Sequence, residues 1–244
     1  MVNQNMNKKE RIIHILKVIK NIISRNIYAI FSELKSFSSR HYSLEGEDIL
    51  LSLKLNNKSG FYIDIGAHHP KYLSNTYLFY KRGWKGINID AMPGSMNKFN
   101  RYRPRDLNLE IPVSDDSVES TYYIFRANAL NTFSKDLANE YIKFGHKLIK
   151  KVVLKPQKLS DILNKYLRTN QHIDFISLDV EGYDLKVLKS NNWKKYRPDY
   201  LLVEDQKFSI DNPTKSNIYN YLNSNNYEIL SKLHTSLLFK SKTI

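Results

Sequence analysis

Acidic side chains recur in this sequence directly behind short apolar runs, and chemistry would be built there. Asp64-Ile-Gly66-Ala67-His68-His69-Pro70 follows Phe61-Tyr-Ile, and Asp90 closes Trp84–Ile89. Ser114-Asp115 follows Leu107–Val113, Asp179-Val-Glu181-Gly182 follows Ile173–Leu178, and Glu204-Asp205 follows Tyr200–Val203. A glycine after the first run lets the backbone approach a ligand closely. An acid closing the second run suits a ribose diol, because a carboxylate accepts from both hydroxyls. The first loop lacks G-x-G-x-x-G, since His68, His69 and Pro70 stand where further glycines would cradle a pyrophosphate. No G-x-x-x-x-G-K-[ST] occurs either, so dinucleotide and nucleoside-triphosphate readings weaken. A ribose ligand without a cradled phosphate points to S-adenosylmethionine (SAM).

Asp179, Glu181, Glu204 and Asp205 form a second constellation. Carboxylates at neighbouring strand ends repel unless something positive lies between them. A hard cation such as Mg2+ is one solution; Lys or Arg neighbours, or substrate hydroxyls, are the other. Methyl transfer from a sulfonium needs the acceptor in line with the methyl and the sulfur. A hydroxyl acceptor must also lose a proton, so a base is useful. The candidates are Asp179, Glu181, His68 and His69, with Glu181 foremost as base or orienter. A carboxylate favoured by a helix N-terminus is the competing reading of Glu181. Tyr72, Tyr77, Tyr122, Tyr123, Phe133 and Tyr183 suit stacking on a sugar, although aromatics at this spacing belong to the core by default.

The apolar runs alternate with helical patterns. Strands are expected at 61–65, 84–90, 107–113, 121–125, 148–154, 173–179 and 200–204. Helices are expected at 72–81, from Pro93 to before Pro104, at 134–144, at 160–167 with Ser160 as N-cap, around 185–189 and at 214–222. Residues 227–230 and 237–240 read as a closing hairpin. Strands alternating with helices mean βαβ units and a mostly parallel sheet covered on both faces. Residues 118–158 break the regularity and read as an insertion shaping an acceptor pocket. Residues 1–40 form a basic amphipathic helical leader, with eight basic side chains against Glu10 and Glu33. Lys17, Lys20 and Arg25 interrupt its apolar pattern, so it is neither a spanning helix nor a signal peptide. It reads as a helix packed on the domain or one lying on an anionic membrane face.

Phe61-Tyr-Ile-Asp-Ile-Gly-Ala-His-His-Pro70, Ser74-Asn-Thr76, Arg82-Gly-Trp-Lys-Gly-Ile-Asn-Ile-Asp90 and Asp174-Phe-Ile-Ser-Leu-Asp-Val-Glu-Gly182 resemble the FkbM family of SAM-dependent methyltransferases. The resemblance runs from Glu45-Gly-Glu-Asp48 to the closing hairpin and leaves out the leader, so 41–244 is read as the methyltransferase domain. It implies a class I (Rossmann-like) fold, a mostly parallel seven-stranded sheet ending in a β-hairpin, and O-methylation of a carbohydrate or natural-product hydroxyl. It implies that Asp64, Gly66 and Ala67 flank the methionine part of the cofactor and that Ser74 and Asn75 meet its carboxylate. Asp90 would hold the ribose, and Asp106, or Val113 and Ser114, the adenine. Some related sugar O-methyltransferases place a divalent ion on acids matching Asp179, Glu204 and Asp205.

Composition bounds the alternatives. The 244 residues carry 38 basic and 24 acidic side chains, a formal +14, and no cysteine. That excludes a disulfide scaffold, a thiolate zinc site, a cysteine nucleophile and a cytosine-C5 methyltransferase. The net charge invites a nucleic-acid methyltransferase reading, but no N-P-P-[YF] or D-P-P-[YF] motif appears, and no nucleic-acid partner is expected. A non-catalytic binding protein on the same fold is the other rival, disfavoured by the intact Asp64, Gly66 and Asp90. The expected acceptor is a surface glycan or glycolipid precursor. The expected location is the cytoplasm, with residues 1–40 offering peripheral contact at the inner membrane face. A homo-oligomer is left open. Asp90→Ala is expected to leave the fold intact, as a strand-end residue without core contacts.

Overall fold

The computed structural model describes residues 41–55 and 59–242; the helix expected within 1–40 lies outside them. Helix α1 (Glu47–Lys54) precedes β1 (Phe61–Ile65), α2 (Tyr77–Lys81), β2 (Lys85–Asp90), α3 (Met96–Tyr102) and β3 (Leu107–Glu110). An excursion follows: β4 (Ser120–Phe125), α4 (Lys135–Lys143) and β5 (Leu148–Leu154). The main fold resumes with α5 (Leu159–Tyr166), β6 (Phe175–Leu178), α6 (Asp184–Lys189) and β7 (Tyr200–Glu204). It closes with α7 (Asn217–Ser224) and the hairpin β8 (Tyr227–Lys232) and β9 (Ser236–Ser241).

Seven strands form one sheet in the order β3-β2-β1-β6-β7-β9-β8. The first five are mutually parallel, and β9 runs antiparallel to both β7 and β8. In register, Ile63 of β1 stands between Ile87 of β2 and Ile176 of β6. Strand residues alternate between faces. Ile63, Ile65, Ile87 and Val203 pack with Leu159, Ile162 and Leu163 of α5, Val187 and Leu188 of α6, and Leu222 of α7. Tyr62, Phe175, Leu202 and Leu238 pack on the other face with Leu51 of α1, Phe79 and Tyr80 of α2, and Trp84. Phe79 sits 4.8 Å from Phe175 and 4.9 Å from Trp84, ring centre to ring centre. Burial on both faces explains why the strands read as near-continuous apolar runs.

Where boundaries differ from the sequence reading, a local cause is visible. The third strand stops at Glu110, short of Val113, because Pro112 has no N–H to give a ladder. The helix expected from Tyr72 starts at Tyr77, because Leu73 takes a left-handed φ of 51°. Ser160 is not an N-cap: α5 opens one residue earlier, and the cap comes from Ser190, whose Oγ accepts from the Leu159 N–H at 3.0 Å. Helix α7 starts later than expected, behind Ser216, whose Oγ accepts from the Tyr219 N–H at 3.0 Å. Within residues 118–158, β4 and β5 pair antiparallel as a two-stranded sheet apart from the seven-stranded one.

Candidate active site

The sheet order reverses between β1 and β6, so the loops leaving those strands diverge and open a crevice at the carboxyl edge. A cavity of about 410 Å³ lies there, within the ~300–1,000 Å³ usual for small-molecule sites. Its walls come from Gly66, Ala67 and His68 after β1, from Asp90, Ala91 and Met92 after β2, and from Ile111 and Val113 after β3. Asp179, Val180 and Glu181 follow β6, and Glu204 and Gln206 end β7. Tyr122, Asn131, Phe133 and Tyr141 of the insertion close it.

Gly66 has φ +81°, and a Cβ there would lie 1.6 Å from the Asp179 carbonyl oxygen. The glycine lets the β1 and β6 loops meet, a backbone approach within the protein where the sequence suggested approach to a ligand. Asp90 is buried at the cavity wall. Its Oδ2 accepts from the His68 N–H and its Oδ1 from the Met92 N–H, each at 2.8 Å. Each oxygen keeps a further lone pair, so the carboxylate is held in place with acceptor capacity to spare. Burial raises its pKa and the two backbone bonds oppose the rise. Removing the side chain would take this partner from both N–H groups, so Asp90→Ala carries a stability cost as well as the loss of a cavity contact.

Asp64 also lines the cavity, and its Oδ2 accepts from Thr76 Oγ1 at 2.5 Å. Burial pushes its pKa up to about 6, while the nearby Arg103 guanidinium pulls the other way. Arg103 is completely buried. Its Nε donates to Asp106 Oδ2 at 2.9 Å, Nη1 and Nη2 each donate to Thr76 Oγ1 at 3.0 Å, and Nη2 donates to the Tyr62 hydroxyl at 2.6 Å. Nη1 also reaches Ser74 Oγ at 3.4 Å.

Three of the expected cofactor residues, Asp106, Ser74 and Ser114, are not among those lining the cavity. Asp106 is the buried counter-ion of Arg103, not an adenine contact. Ser74 belongs to the same network and accepts from the Tyr77 N–H at 3.2 Å, off the cavity. Ser114 is buried against Gln157, whose carbonyl takes its N–H at 3.1 Å. The apolar residues after β2 and β3 that do line the cavity are Ala91, Met92, Ile111 and Val113. Asn75 lines it as well, donating to Ser177 Oγ at 3.0 Å.

Asp179, Glu181 and Glu204 bring carboxylate oxygens within 4.8 Å of one another. Asp205 does not join them. Its carboxylate turns to Ser216 Oγ at 2.5 Å and the Lys207 N–H at 3.2 Å. The donor set is therefore Glu181 with Asp179 and Glu204, in place of the expected Asp205. Asp179 is open to the cavity, yet protein surrounds it. Poor hydration and then the Glu204 charge hold its pKa well above the usual carboxylate range. Glu204 is raised for the same first reason. Glu181 is pushed up to about 7 by burial and then by Glu204, opposed by the Tyr141 hydroxyl, which donates to its Oε2 at 2.5 Å.

The 179–182 loop is pinned by groups that sequence reasoning missed. Glu181 holds a left-handed φ of 51°, and its carbonyl accepts from Thr132 Oγ1 at 2.7 Å. Asp184, pushed by burial up to about 8, accepts from the Val180 and Gly182 N–H groups at 3.2 Å each. Asp184 was visible as a second acid behind the Asp179-Val-Glu181-Gly182 stretch. Thr132 and Tyr141 had no signal, because the insertion delivers them from 40 or more residues away in sequence. Glu47, another lining acid, was missed in the same way.

The histidines separate. His68 faces the cavity with φ 53°, and burial, then Lys98, lowers its pKa. His69 Nδ1 accepts from the Lys71 and Tyr72 N–H groups at 3.2 and 3.0 Å, a role within its own turn. In all, Glu47, Asp64, Asp90, Asp179, Glu181 and Glu204 line the cavity, with no Lys or Arg among the lining residues. The cavity is anionic in a chain of formal charge +14.

A parallel sheet reversing at its centre, an antiparallel last pair of strands and a cavity at the carboxyl edge together define a class I methyltransferase architecture. Residues 64–229 match the model of the methyltransferase FkbM domain, and the chain belongs to that family. No curated protein sequence matches the chain. Among solved structures it is similar to a Bacillus cereus O-methyltransferase in complex with S-adenosylhomocysteine (SAH), at 12% identity and TM-score 0.43, covering 91% of this chain and 89% of that one. A TehB-like SAM-dependent methyltransferase from Corynebacterium glutamicum matches at 10% identity and TM-score 0.41, covering 91% of this chain and all of that one. The Burkholderia thailandensis 1,6-didemethyltoxoflavin-N1-methyltransferase matches at 11% identity and TM-score 0.39, covering 98% and 91% respectively. Likeness this distant says nothing of the substrate. Among the described residues no helix is long and apolar enough to cross a membrane.

Proposed function

We propose that the chain is a SAM-dependent O-methyltransferase acting on a carbohydrate hydroxyl. The observation that carries the reading is the anionic cavity, six carboxylates and no Lys or Arg, in a basic protein. Such a lining suits a cationic sulfonium ligand and disfavours the phosphates of a nucleic acid. When bound, SAM supplies an electrophilic methyl group whose C–S bond pair leaves on sulfur. In this reading Asp90 accepts from the ribose hydroxyls, Met92, Ile111 and Val113 enclose the adenine, and Asp64, Gly66, Ala67 and Asn75 flank the methionine end.

On the acceptor side, Tyr122, Phe133 and Tyr183 form a wall, with ring centres 4.6 and 5.5 Å apart in succession. Rings beside carboxylates suit a sugar, whose C–H face stacks while its hydroxyls donate. Glu181 takes the acceptor proton: its pKa of about 7 matches a base working at neutral pH. Asp179 orients the acceptor, and His68 stands on the cofactor side. The three clustered carboxylates also make a hard-oxygen donor set that fits Mg2+. Asp179, Glu181 and Glu204 would hold such an ion, which would lower the pKa of an acceptor hydroxyl. Proton transfer to Glu181 needs no ion, so transfer is expected to survive EDTA; loss reversed by Mg2+ would favour the cation reading.

The test is incubation with isotopically labelled SAM and a panel of oligosaccharides and glycolipids, alongside RNA and DNA. Label entering a sugar hydroxyl supports the reading. Label entering a nucleobase, or none entering any acceptor while SAM binds, overturns it.

A further inference from the structure

The insertion carries a surface feature that cavity chemistry does not use. Residues 118–158 hold eight basic side chains against three acidic ones, Glu119, Asp136 and Glu140. From Tyr141 to Ser160 there are six lysines and no acid. Large apolar side chains stand exposed among them: Ile142 at 44%, Phe144 at 74%, Ile149 at 52% and Val153 at 65%. Lys143, Lys147, Lys150 and Lys151 are exposed in the same stretch, Lys151 sharing a strand face with Val153 and Lys150 alternating to the other. Of the acids, Glu119 lies just before β4 and Asp136 in the first turn of α4, while Glu140, one turn before the helix end, neighbours Lys143 and Phe144.

We propose that this strip, the end of α4 together with β5, docks on an anionic lipid surface. Lysines supply attraction to negative headgroups, and exposed aliphatic and aromatic side chains among them enter the headgroup–acyl boundary. The combination decides between partners. RNA would use the lysines but gain little from Ile142, Ile149 and Val153. The chain's own residues 1–40 carry eight basic side chains against two acidic ones, the wrong sign to cover a basic strip. Tyr141, which precedes the strip, lines the cavity. Docking therefore brings the acceptor side of the cavity to the membrane face, where a lipid-linked acceptor presents its head group. That consequence rests on the proposed function; the lipid contact does not.

Two measurements on the full chain test it without cofactor or acceptor. In the first, the chain is sedimented with vesicles of phosphatidylcholine, alone or mixed with phosphatidylglycerol. Binding to the mixed vesicles is expected, and K143Q/K147Q/K150Q/K151Q is expected to weaken it about 100-fold or more. In the second, Phe144→Trp is expected to give a blue-shifted emission quenched by brominated lipid, beyond the signal of Trp84 and Trp193. Residues 1–40 are unchanged in every variant, so binding through them alone would leave partition unaltered and the new tryptophan unquenched. Either result overturns the proposal. So does failure of the full chain to bind mixed vesicles, or binding to polyuridylate in their place.

Discussion

Arg103→Met removes the guanidinium that ties the wall of the cavity to the sheet. The arginine and its partner Asp106 are both completely buried and joined at 2.9 Å, and the same guanidinium donates to Tyr62 and Thr76. Methionine fills similar space but leaves the Asp106 carboxylate buried without its cation. Removing one partner of a buried pair costs about 3–5 kcal/mol. For a domain of this size that lowers Tm by roughly 6–20 °C. The cost should also depend on pH, through Asp64. Arg103 holds the Asp64 pKa down, although burial still places it at about 6, above its ordinary 3.8. A carboxylate raised on folding contributes stability that is lost as pH climbs through its folded value. Without Arg103 that value rises further, so the deficit of the variant should grow between pH 5 and pH 8. The assay is urea unfolding of both proteins across that range, read as the difference so that other titrating groups largely cancel. Arg103→Lys keeps a charge without the fork and should recover part of the loss. A deficit below about 1 kcal/mol at pH 7, or one independent of pH, would refute the network argument.

Four further outcomes follow from the site. Gly66→Ala places a Cβ 1.6 Å from the Asp179 carbonyl at a φ of +81°, so it should cost more than about 3 kcal/mol, seen as a large drop in Tm; an unchanged Tm would show that the loops separate freely. Glu181→Gln should lower kcat by about 100-fold or more with little change in SAH affinity and should remove a limb of kcat that rises with pH near 7. Tyr141→Phe should move that limb upward, because the tyrosine hydroxyl opposes the raised pKa of Glu181; a limb that stays put would detach Glu181 from the chemistry. Asp90→Asn keeps an oxygen for one of the two backbone N–H groups and should weaken SAH binding by more than tenfold, at about 1–2 kcal/mol in stability; full affinity in calorimetry would take Asp90 out of the site.

The parallel sheet was legible because β1, β2, β6 and β7 are buried on both faces and read as apolar runs ending in acids. Strand ends also mark the carboxyl edge, so Asp64, Asp90, Asp179, Glu181 and Glu204 were found without any contact being known. Side-chain direction was not legible. Asp205 follows Glu204 directly, yet alternation along the strand turns it to Ser216. Asp106 lies four residues past the end of α3, and only the fold reveals that the buried Arg103 claims it. Long-range partners escaped for the same reason: Thr132 and Tyr141 reach Glu181 across an insertion whose packing no local pattern encodes. Ser160 looked like a cap, but Ser190 provides it from another segment.

Every role proposed for these residues depends on the anionic cavity between β1 and β6 being a SAM site. Calorimetric titration of the full chain with SAH, with NADH as control, tests it most directly. Saturable heat with SAH and none with NADH is the predicted result. Absence of heat with SAH, in the presence and absence of Mg2+, would contradict it.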